Sequence, residues 1–244
     1  LNTLFVALMD HPEFKHLDFS TLRLTNSGGT ALVKATAERW LELTGCPIVE
    51  GYGLTETSPV ATANPYGNQS RLGTVGTTAK VISDDGVELP VGERGELCLK
   101  GPQIMLGYWN KPEATAEVLD SEGWLKTGDV AVIDPDGFIR IVDRKKDLII
   151  VSGFNVYPNE IEDVVSRHPK VANCAVIGVP DDRSGEAVKL FVVPRDATLT
   201  SEELKAYCKE NFTGYKIPKL IVLRESLPMT PVGKILRREL RDIA

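Results

Sequence analysis

Residues 50–57, read Glu-Gly-Tyr-Gly-Leu-Thr-Glu-Thr, combine groups that suit a nucleotide and its phosphates. Two glycines let the backbone approach a ligand without a Cβ in the way and leave N–H groups to meet an anion. Tyr52 offers a flat ring to a heterocycle. Thr55 offers a hydroxyl, and Glu56 a carboxylate that could hold Mg²⁺. An ordinary glycine turn is the alternative, but eight such residues directly after an apolar strand favour a binding loop.

The elements around this loop predict a parallel α/β unit over residues 1–70. An apolar strand at residues 22–25 leads into Ser27-Gly28-Gly29-Thr30, and an amphipathic helix closed by Gly45 follows. A second strand at residues 47–49 then leads into the glycine-rich loop. Strand, helix and strand in this order indicate parallel pairing, and open α/β sheets bind ligands at the carboxyl ends of such strands.

Residues 71–142 change to short apolar segments separated by turn sequences, which predicts antiparallel strands in a small barrel or sheet. The segments are 79–82, 95–100, 130–133 and 138–142.

A third pattern begins after Lys145-Lys146 and predicts a small α+β domain over residues 148–244. It contains helices at 159–168 and 201–211, the second capped by Thr200, and strands at 174–179 and 188–193. We place the domain boundary at residues 143–147.

Composition excludes several classes of protein. A net charge of −6, from 28 basic and 34 acidic residues, argues against a general nucleic-acid binder. Hydrophobic residues at 42% and charged residues at 25% are typical of a soluble globular protein. No apolar run approaches the ~18 residues of a membrane-spanning helix. The four cysteines are far apart and form no Cys-x-x-Cys pair, so we expect a reduced, cytoplasmic protein without a zinc site.

These motifs, in this order, resemble the acyl-adenylate-forming family of acyl- and aryl-CoA synthetases, luciferases and adenylation domains. The family signature Tyr-Gly-x-Thr-Glu stands at Tyr52-Gly53-Leu54-Thr55-Glu56. Further family blocks follow in the expected order at residues 95–102, 107–109, 123–129, 143–147, 152–162 and 231–234. Details of residues 151–162 and 233–240 resemble bacterial long-chain-fatty-acid–CoA ligases in particular. The resemblance implies the C-terminal half of the adenylate-forming fold.

The resemblance also implies a role for each motif residue in the large domain. Tyr52 would pack against adenine, Thr55 would reach the α-phosphate, Glu56 would hold Mg²⁺, and Asp129 and Arg144 would bind the ribose hydroxyls. Without the family blocks, Asp129 would be a turn residue and Arg144 a solvated basic residue. The implied nucleotide-binding set is Ser27, Gly28, Gly29, Glu50, Gly51, Tyr52, Gly53, Leu54, Thr55, Asp129 and Arg144.

The C-terminal motifs imply the catalytic and acceptor residues. Lys234 would be the catalytic lysine of adenylation, because a mobile ammonium suits the charge that develops at phosphorus. Without the family blocks it would be a surface lysine in a basic tail. Lys146 would be the hinge about which the small domain swings between the two half-reactions. Ser152, Gly153 and Phe154 would contact coenzyme A.

The activity implied is ATP-dependent activation of a long-chain fatty acid to its acyl-adenylate and transfer to coenzyme A. The Ser/Thr/Gly-rich phosphate loop of the family is absent before Ser27, and the chain begins without Met or a signal peptide. We therefore expect a truncated chain with little or no ligase activity alone.

Two other functions stay open. The first is an acyl-AMP ligase or adenylation domain that uses a carrier protein, although residues 152–162 favour free CoA. The second is a non-catalytic nucleotide-binding module. We expect a cytoplasmic protein, at most peripheral on the inner face of the membrane, and the resemblance leaves a homodimer of the full-length enzyme open.

Overall fold

The structure is a computed structural model that describes residues 2–30, 32–67, 70–74, 79–231 and 233–243. The chain divides into two compact units, Leu1–Ile141 and Val142–Ala244. Each unit has hydrophobic clusters of its own. None of the helices among these described residues has both the length and the apolar character needed to cross a membrane.

The first unit begins with a three-stranded sheet. Helix α1 (Asn2–Asp10) precedes strand β1 (Thr25–Ser27), and helix α2 (Lys34–Thr44) connects β1 to β2 (Ile48–Tyr52). Strands β1 and β2 pair in parallel, which confirms the predicted strand–helix–strand unit, and β3 (Thr62–Ala63) adds an antiparallel edge. The first strand begins three residues later than predicted. Helix α2 ends at Gly45, whose φ of 69° lies in the left-handed region.

Helix α2 is fixed to the sheet by one tryptophan. The Trp40 indole N–H donates to the Thr25 hydroxyl at 3.2 Å, and its ring meets Phe5 of α1 edge-on with centroids 4.9 Å apart. The cluster formed around these rings contains Phe5, Met9, Phe14, Leu32, Ala37, Trp40 and Ile48. This packing fixes α2 against the first residues of β1 and β2, Thr25 and Ile48.

The first unit continues with a four-stranded sheet in the order β4-β5-β6-β7. The strands are β4 (Lys80–Ile82), β5 (Arg94–Leu99), β6 (Leu125–Ile133) and β7 (Ile139–Arg144), and helix α3 (Pro112–Val118) lies between β5 and β6 in the sequence. The predicted antiparallel strands are confirmed, and of the two forms that the sequence left open the structure has the sheet: β4 and β7 are its two edges, and no closed barrel forms among the described residues. Closure needs the first and last strands to pair, and four strands are fewer than the about five of a small barrel.

The second unit is an α+β fold around a five-stranded sheet. Strands β8 (Ile149–Val151) and β9 (Phe154–Val156) form a hairpin, and helix α4 (Pro158–Val165) leads to the long antiparallel pair β10 (Val171–Asp181) and β11 (Gly185–Pro194). Helix α5 (Ser201–Asn211) precedes β12 (Leu220–Leu223), which pairs in parallel with β11, and helix α6 (Arg237–Asp242) follows.

Alternate residues of β10 serve the two faces of this sheet. Val176 belongs to the cluster that includes Ile161 of α4 and Leu204 of α5. Its neighbour Ile177 belongs to the cluster that includes Leu240 of α6. Helices α4 and α5 therefore cover one face and α6 the other, as the period of two along a strand requires.

Candidate active site

Two glycine-containing loops meet at the carboxyl ends of β1 and β2. A Cβ at Gly28 would lie 3.2 Å from the main-chain oxygen of Gly51, a tighter contact than most side chains make, so glycine favours this approach. Ser27 is 3% exposed, and its hydroxyl oxygen has no hydrogen-bond partner in the described structure. Gly28 and Gly29 are exposed. The structure thus brings the predicted residues of both loops to one sheet edge, with a buried polar atom whose bonding is incomplete.

Gly53 is required by the loop itself, whatever the loop binds. A Cβ at this position would lie 1.8 Å from the main-chain oxygen of Pro59. The loop folds back so closely because Thr57, fully buried, ties it together: its hydroxyl donates to the carbonyl of Pro59 at 2.9 Å and accepts from the N–H of Leu54 at 2.9 Å. Gly51 differs, since a Cβ there would meet other atoms only at 3.6 Å or more.

Tyr52 and Asp129 are in direct contact although 77 positions separate them in the sequence. The Tyr52 hydroxyl donates to Asp129 Oδ2 at 2.5 Å. The Tyr52 ring packs against the cluster of the four-stranded sheet, which contains Leu97, Leu99 and Ile139. Two predicted nucleotide residues from different sheets are therefore assembled at one place.

The position of Asp129 follows from an irregularity in the β5–β6 pairing. The register shifts between Glu96 and Cys98, so that Leu97 lies opposite three residues of β6, Thr127 to Asp129. The Thr127 hydroxyl donates to the carbonyl of Leu97 at 2.9 Å and accepts from the N–H of Asp129 at 3.1 Å. A β-bulge re-aims a side chain in this way, and such bulges are frequent beside active sites.

The buried side chain of Glu50 contacts a neighbouring loop and does not point to solvent. It is 7% exposed, and its Oε1 accepts from the N–H of Gly73 at 2.6 Å. Burial raises the pKa of this carboxyl, while backbone hydrogen bonds from Gly73 and Leu32 oppose the shift. Its main-chain oxygen also accepts from the N–H of Asn64 at 2.9 Å. In the structure Glu50 therefore joins two loops, and its assignment as a nucleotide residue stays a prediction.

Glu56, the predicted metal residue, lies in a 3-10 turn at Thr55–Thr57. Thr55 is exposed and Glu56 is half-buried. One carboxylate oxygen, Oε1, accepts from the Tyr108 hydroxyl at 2.7 Å, and this hydrogen bond raises the pKa of Tyr108. Tyr108 belongs to the family block at residues 107–109, and the sequence pattern alone indicates no role for it.

A single carboxylate at this place fits magnesium but not a closed protein cage. No group of three or more His, Cys, Asp or Glu residues that could hold a metal occurs among the described residues. Mg²⁺ is usually held by one or two carboxylates together with substrate phosphates and water. Glu56 could therefore supply one oxygen ligand, with the nucleotide supplying others.

Ser152 and Gly153 form the turn between β8 and β9 in the second unit. Their φ angles of 51° and 81° both lie in the left-handed region, as a two-residue hairpin turn requires. Phe154 is half-exposed and stacks on Tyr215 with ring centroids 4.8 Å apart. A cavity of about 270 Å³ lies beside the turn, lined by Ser152, Arg183, Lys219 and their neighbours. The predicted CoA residues are thus at an accessible edge of this unit.

Lys234 lies at the end of a tight loop that precedes α6. The N–H of Lys234 donates to the Thr230 hydroxyl at 3.0 Å, and its carbonyl accepts from the N–H of Thr230 at 2.8 Å. Gly233 takes a φ of 76° within the loop, and Val232 of the same motif lies outside the described residues. Lys234 itself is half-buried.

The remaining predicted residues lie where the second unit begins. Arg144 ends β7 and is half-buried, whereas Lys146 is exposed in the 3-10 turn Lys145–Asp147. An exposed residue in a short turn is a position that could absorb a change of backbone angle. The hinge assignment stays a prediction.

Comparison with known proteins finds relatives of both units of the chain. Family models for "AMP-binding enzyme" and "AMP-binding enzyme C-terminal domain" match residues 1–109 and 160–234. The chain is 56% identical over 249 residues to a long-chain-fatty-acid–CoA ligase of Escherichia coli O6:H1; the match covers 100% of the chain and 44% of that protein. The chain thus spans less than half the length of this curated relative.

Solved structures give the same result for the fold. ATP-bound MatB from Rhodopseudomonas palustris superposes with a TM-score of 0.91 at 35% identity, over 99% of this chain and 49% of that one. The anthranilate CoA ligase AuaEII in complex with anthranoyl-AMP superposes with a TM-score of 0.87 at 32% identity, over 100% of this chain and 48% of that one. The chain therefore belongs to the AMP-binding enzyme family and has the fold of the adenylate-forming enzymes.

Proposed function

We propose that this chain carries the adenosine, magnesium, hinge and lysine elements of an ATP-dependent long-chain fatty acid–CoA ligase. The observation that carries the proposal is the Tyr52–Asp129 hydrogen bond, which joins two motifs far apart in the sequence at the edge where Gly28 meets Gly51. The relatives support a long-chain fatty acid as the substrate, because the chain is 56% identical to a protein named long-chain-fatty-acid–CoA ligase.

The first half-reaction would form the acyl-adenylate. A carboxylate oxygen of the fatty acid attacks the α-phosphorus of ATP, the new O–P bond forms, and pyrophosphate leaves. Tyr52 and Asp129 would orient the adenosine, and Glu56 would hold Mg²⁺, which neutralises phosphate charge. Lys234 would stabilise the charge that develops around phosphorus.

The second half-reaction would transfer the acyl group. The CoA thiol releases its proton to solvent, its sulfur attacks the acyl carbonyl carbon to form the thioester bond, and AMP leaves with the electrons of the broken C–O bond. The turn at Ser152-Gly153 would approach the thiol arm, because a hairpin tip exposes its backbone. A movement at Lys146 would exchange Lys234 for this turn.

The complete reaction is proposed for a protein of the relatives' full length, because the chain spans only 44% of that length. We expect the chain alone to form little or no acyl-CoA. A non-catalytic nucleotide module would instead bind AMP and show no turnover even in the protein expressed from the complete reading frame.

The test separates the two half-reactions in the protein from the complete reading frame. Fatty-acid-dependent exchange of pyrophosphate into ATP measures adenylation, and supplied acyl-adenylate with CoA measures thioester formation. The absence of exchange with long-chain fatty acids would overturn the proposal. Comparing CoA with a holo carrier protein as acceptor distinguishes a CoA ligase from an acyl-AMP ligase.

Lys234→Ala should slow adenylation by about 10²–10³-fold, the loss typical for removing one preorganised stabilising group. Single-turnover formation of acyl-adenylate measures this step directly. Lys205→Ala, an exposed lysine of α5, is the control for loss of a positive charge. Adenylation by the Lys234 variant at the unsubstituted rate would contradict the assignment.

Lys146→Pro should spare adenylation and slow thioester formation. Proline fixes its own φ and disfavours helical angles at the preceding residue, so it would stiffen the turn. Lys146→Ala removes the same charge without stiffening and should leave both rates within about twofold. An equal loss in both half-reactions of the proline variant would argue against a hinge.

A further inference from the structure

A buried network of charged residues surrounds the start of α6, three residues after Lys234. The guanidinium of Arg237 donates through Nη2 to Glu162 Oε2 at 2.7 Å, Glu162 Oε1 at 2.9 Å and Asn159 Oδ1 at 2.9 Å. The Arg237 side chain is 18% exposed and that of Glu162 16%. Charge-assisted bonds of this kind, shielded from water, fix geometry more firmly than surface pairs do.

The same arginine reaches the turn that contains the predicted hinge. Arg237 Nη1 lies 3.7 Å from Asp147 Oδ2, and Arg241, one turn further along α6, donates to Asp147 Oδ1 at 2.7 Å. The Asp147 side chain is 6% exposed. Two arginines of α6 therefore hold the last residue of the turn Lys145–Asp147.

The network is anchored in the body of the second unit through α4. Glu162 Oε1 also accepts from the N–H of Val176 in β10 at 2.7 Å. Asn159 donates its own N–H to Asp143 Oδ2 at 2.8 Å. Arg237 is thus bound to groups that the sheet and α4 already hold rigidly.

The loop before α6 follows the buried Leu227, and Ile235 near its end packs against the cluster that contains Leu227 and Leu240. Backbone hydrogen bonds within residues 228–236 shape the loop, and Met229 and Ile235 form an isolated bridge. Helix α6 has six residues, too few to be stable without tertiary contacts, and its one buried residue is Leu240. The start of the helix is therefore held by the packing of Ile235 and by the groups that Arg237 binds.

From this geometry we propose that Arg237 is a positioning residue for Lys234. By fixing the start of α6 to α4 and to the turn Lys145–Asp147, it makes the Lys234 loop and the turn move as one body. The part played by Lys234 in adenylation rests on the proposed function, whereas the anchoring of the loop does not.

The anchoring is tested by hydrogen exchange on the 244-residue chain. Arg237→Gln should speed hydrogen exchange of the amides of residues 229–231 and 233–237 by about tenfold or more, while the amides of α5 keep their exchange rates. Arg238→Gln, at the exposed neighbouring arginine, is the matched control and should leave the exchange rates of both the loop and α5 unchanged. Unchanged exchange in the loop, or equal acceleration in α5, would overturn the proposal.

A milder variant guards against general unfolding. Glu162→Gln keeps an acceptor for Val176 and removes the charge that faces Arg237. We expect exchange in the same loop to rise by about threefold, with α5 again unaffected. Acceleration in β10 and β11 without any in the loop would contradict the inference.

The consequence for catalysis is measured on the protein from the complete reading frame. Arg237→Gln should lower kcat of adenylation by about tenfold or more with KM for ATP within about twofold, and should leave thioester formation from supplied acyl-adenylate unchanged. Equal loss in both half-reactions would indicate a merely structural role and overturn the proposal. If the unsubstituted protein lacks adenylation, the proposed function fails, and the exchange result still decides whether Arg237 anchors the loop.

Discussion

The buried carboxyl of Asp143 predicts how the free energy of unfolding of the second unit changes with pH. Its side chain is 1% exposed, with Oδ1 accepting from the N–H of Arg144 and Oδ2 from the N–H of Asn159, both at 2.8 Å. Burial raises the pKa of this carboxyl from 3.8 to about 6. The two backbone hydrogen bonds oppose the rise, as does Arg237 of α6, whereas Glu162 of α4 adds to it.

The sign of the resulting pH dependence follows from proton linkage. Between pH 4 and pH 6 the folded unit binds a proton at Asp143 that the unfolded chain has already released. The free energy of unfolding therefore falls as pH rises through this window and becomes flat above it. A difference of about two pKa units corresponds to about 3 kcal/mol at full titration.

Asp143→Asn should remove this contribution. An amide cannot ionise, so the stability of the variant relative to the original protein should rise by about 3 kcal/mol between pH 4 and pH 7. At pH 4 the variant should be the less stable protein, because one of the two backbone N–H groups would face an amide nitrogen in place of an acceptor.

Hydrogen exchange of the β10 and β11 amides, corrected for the intrinsic rate at each pH, measures the stability of the second unit. All three tryptophans, Trp40, Trp109 and Trp124, belong to the first unit. Urea unfolding followed by their fluorescence is therefore the internal control and should not respond to the substitution. Parallel pH profiles for the original protein and the variant would refute the reasoning.

Two further predictions concern the first unit. Gly53→Ala should destabilise this unit and lower AMP affinity, because its Cβ would meet the carbonyl of Pro59 at 1.8 Å. Thermal unfolding and calorimetric titration measure the two effects. Gly214→Ala, where a Cβ meets nothing within 4 Å, is the control and should be close to neutral in both. Tyr52→Phe removes the donor to Asp129, which is 9% exposed, and should weaken AMP binding by about fivefold, or about 1 kcal/mol. Unchanged affinity in both variants would show that the loop is not a nucleotide site.

Local signals were sufficient for several elements of the fold. Helix α5 occupies the predicted residues 201–211, and Thr200 caps it by accepting from the N–H of Glu203 at 3.1 Å. Such a cap depends only on neighbouring residues, so sequence shows it directly. The parallel pairing of β1 and β2 was also predictable, because the helix between them fixes the direction of the second strand.

Other features depend on partners distant in the sequence. The apolar pattern at residues 22–25 predicted the first strand, yet β1 is Thr25–Ser27, because its bounds are set by pairing with Ile48, Val49 and Glu50. The open sheet of β4 to β7 is likewise a property of tertiary pairing, and no single segment encodes it. Helix α1, at Asn2–Asp10, was not predicted at all.

The motif at residues 50–57 shows why a sequence pattern alone cannot assign roles within a site. Its members differ in what they contact: Thr57 is fully buried and holds the loop, Glu50 holds Gly73, and Thr55, two residues from Thr57, is exposed. Losing any of them should weaken the proposed nucleotide site, but for different reasons. Replacing Thr57 should weaken protein stability and ligand binding together, whereas replacing Thr55 should change only what happens at the ligand. Measuring both the free energy of unfolding and the ligand affinity of each variant therefore separates the residues that maintain the structure of the loop from those that contact the ligand.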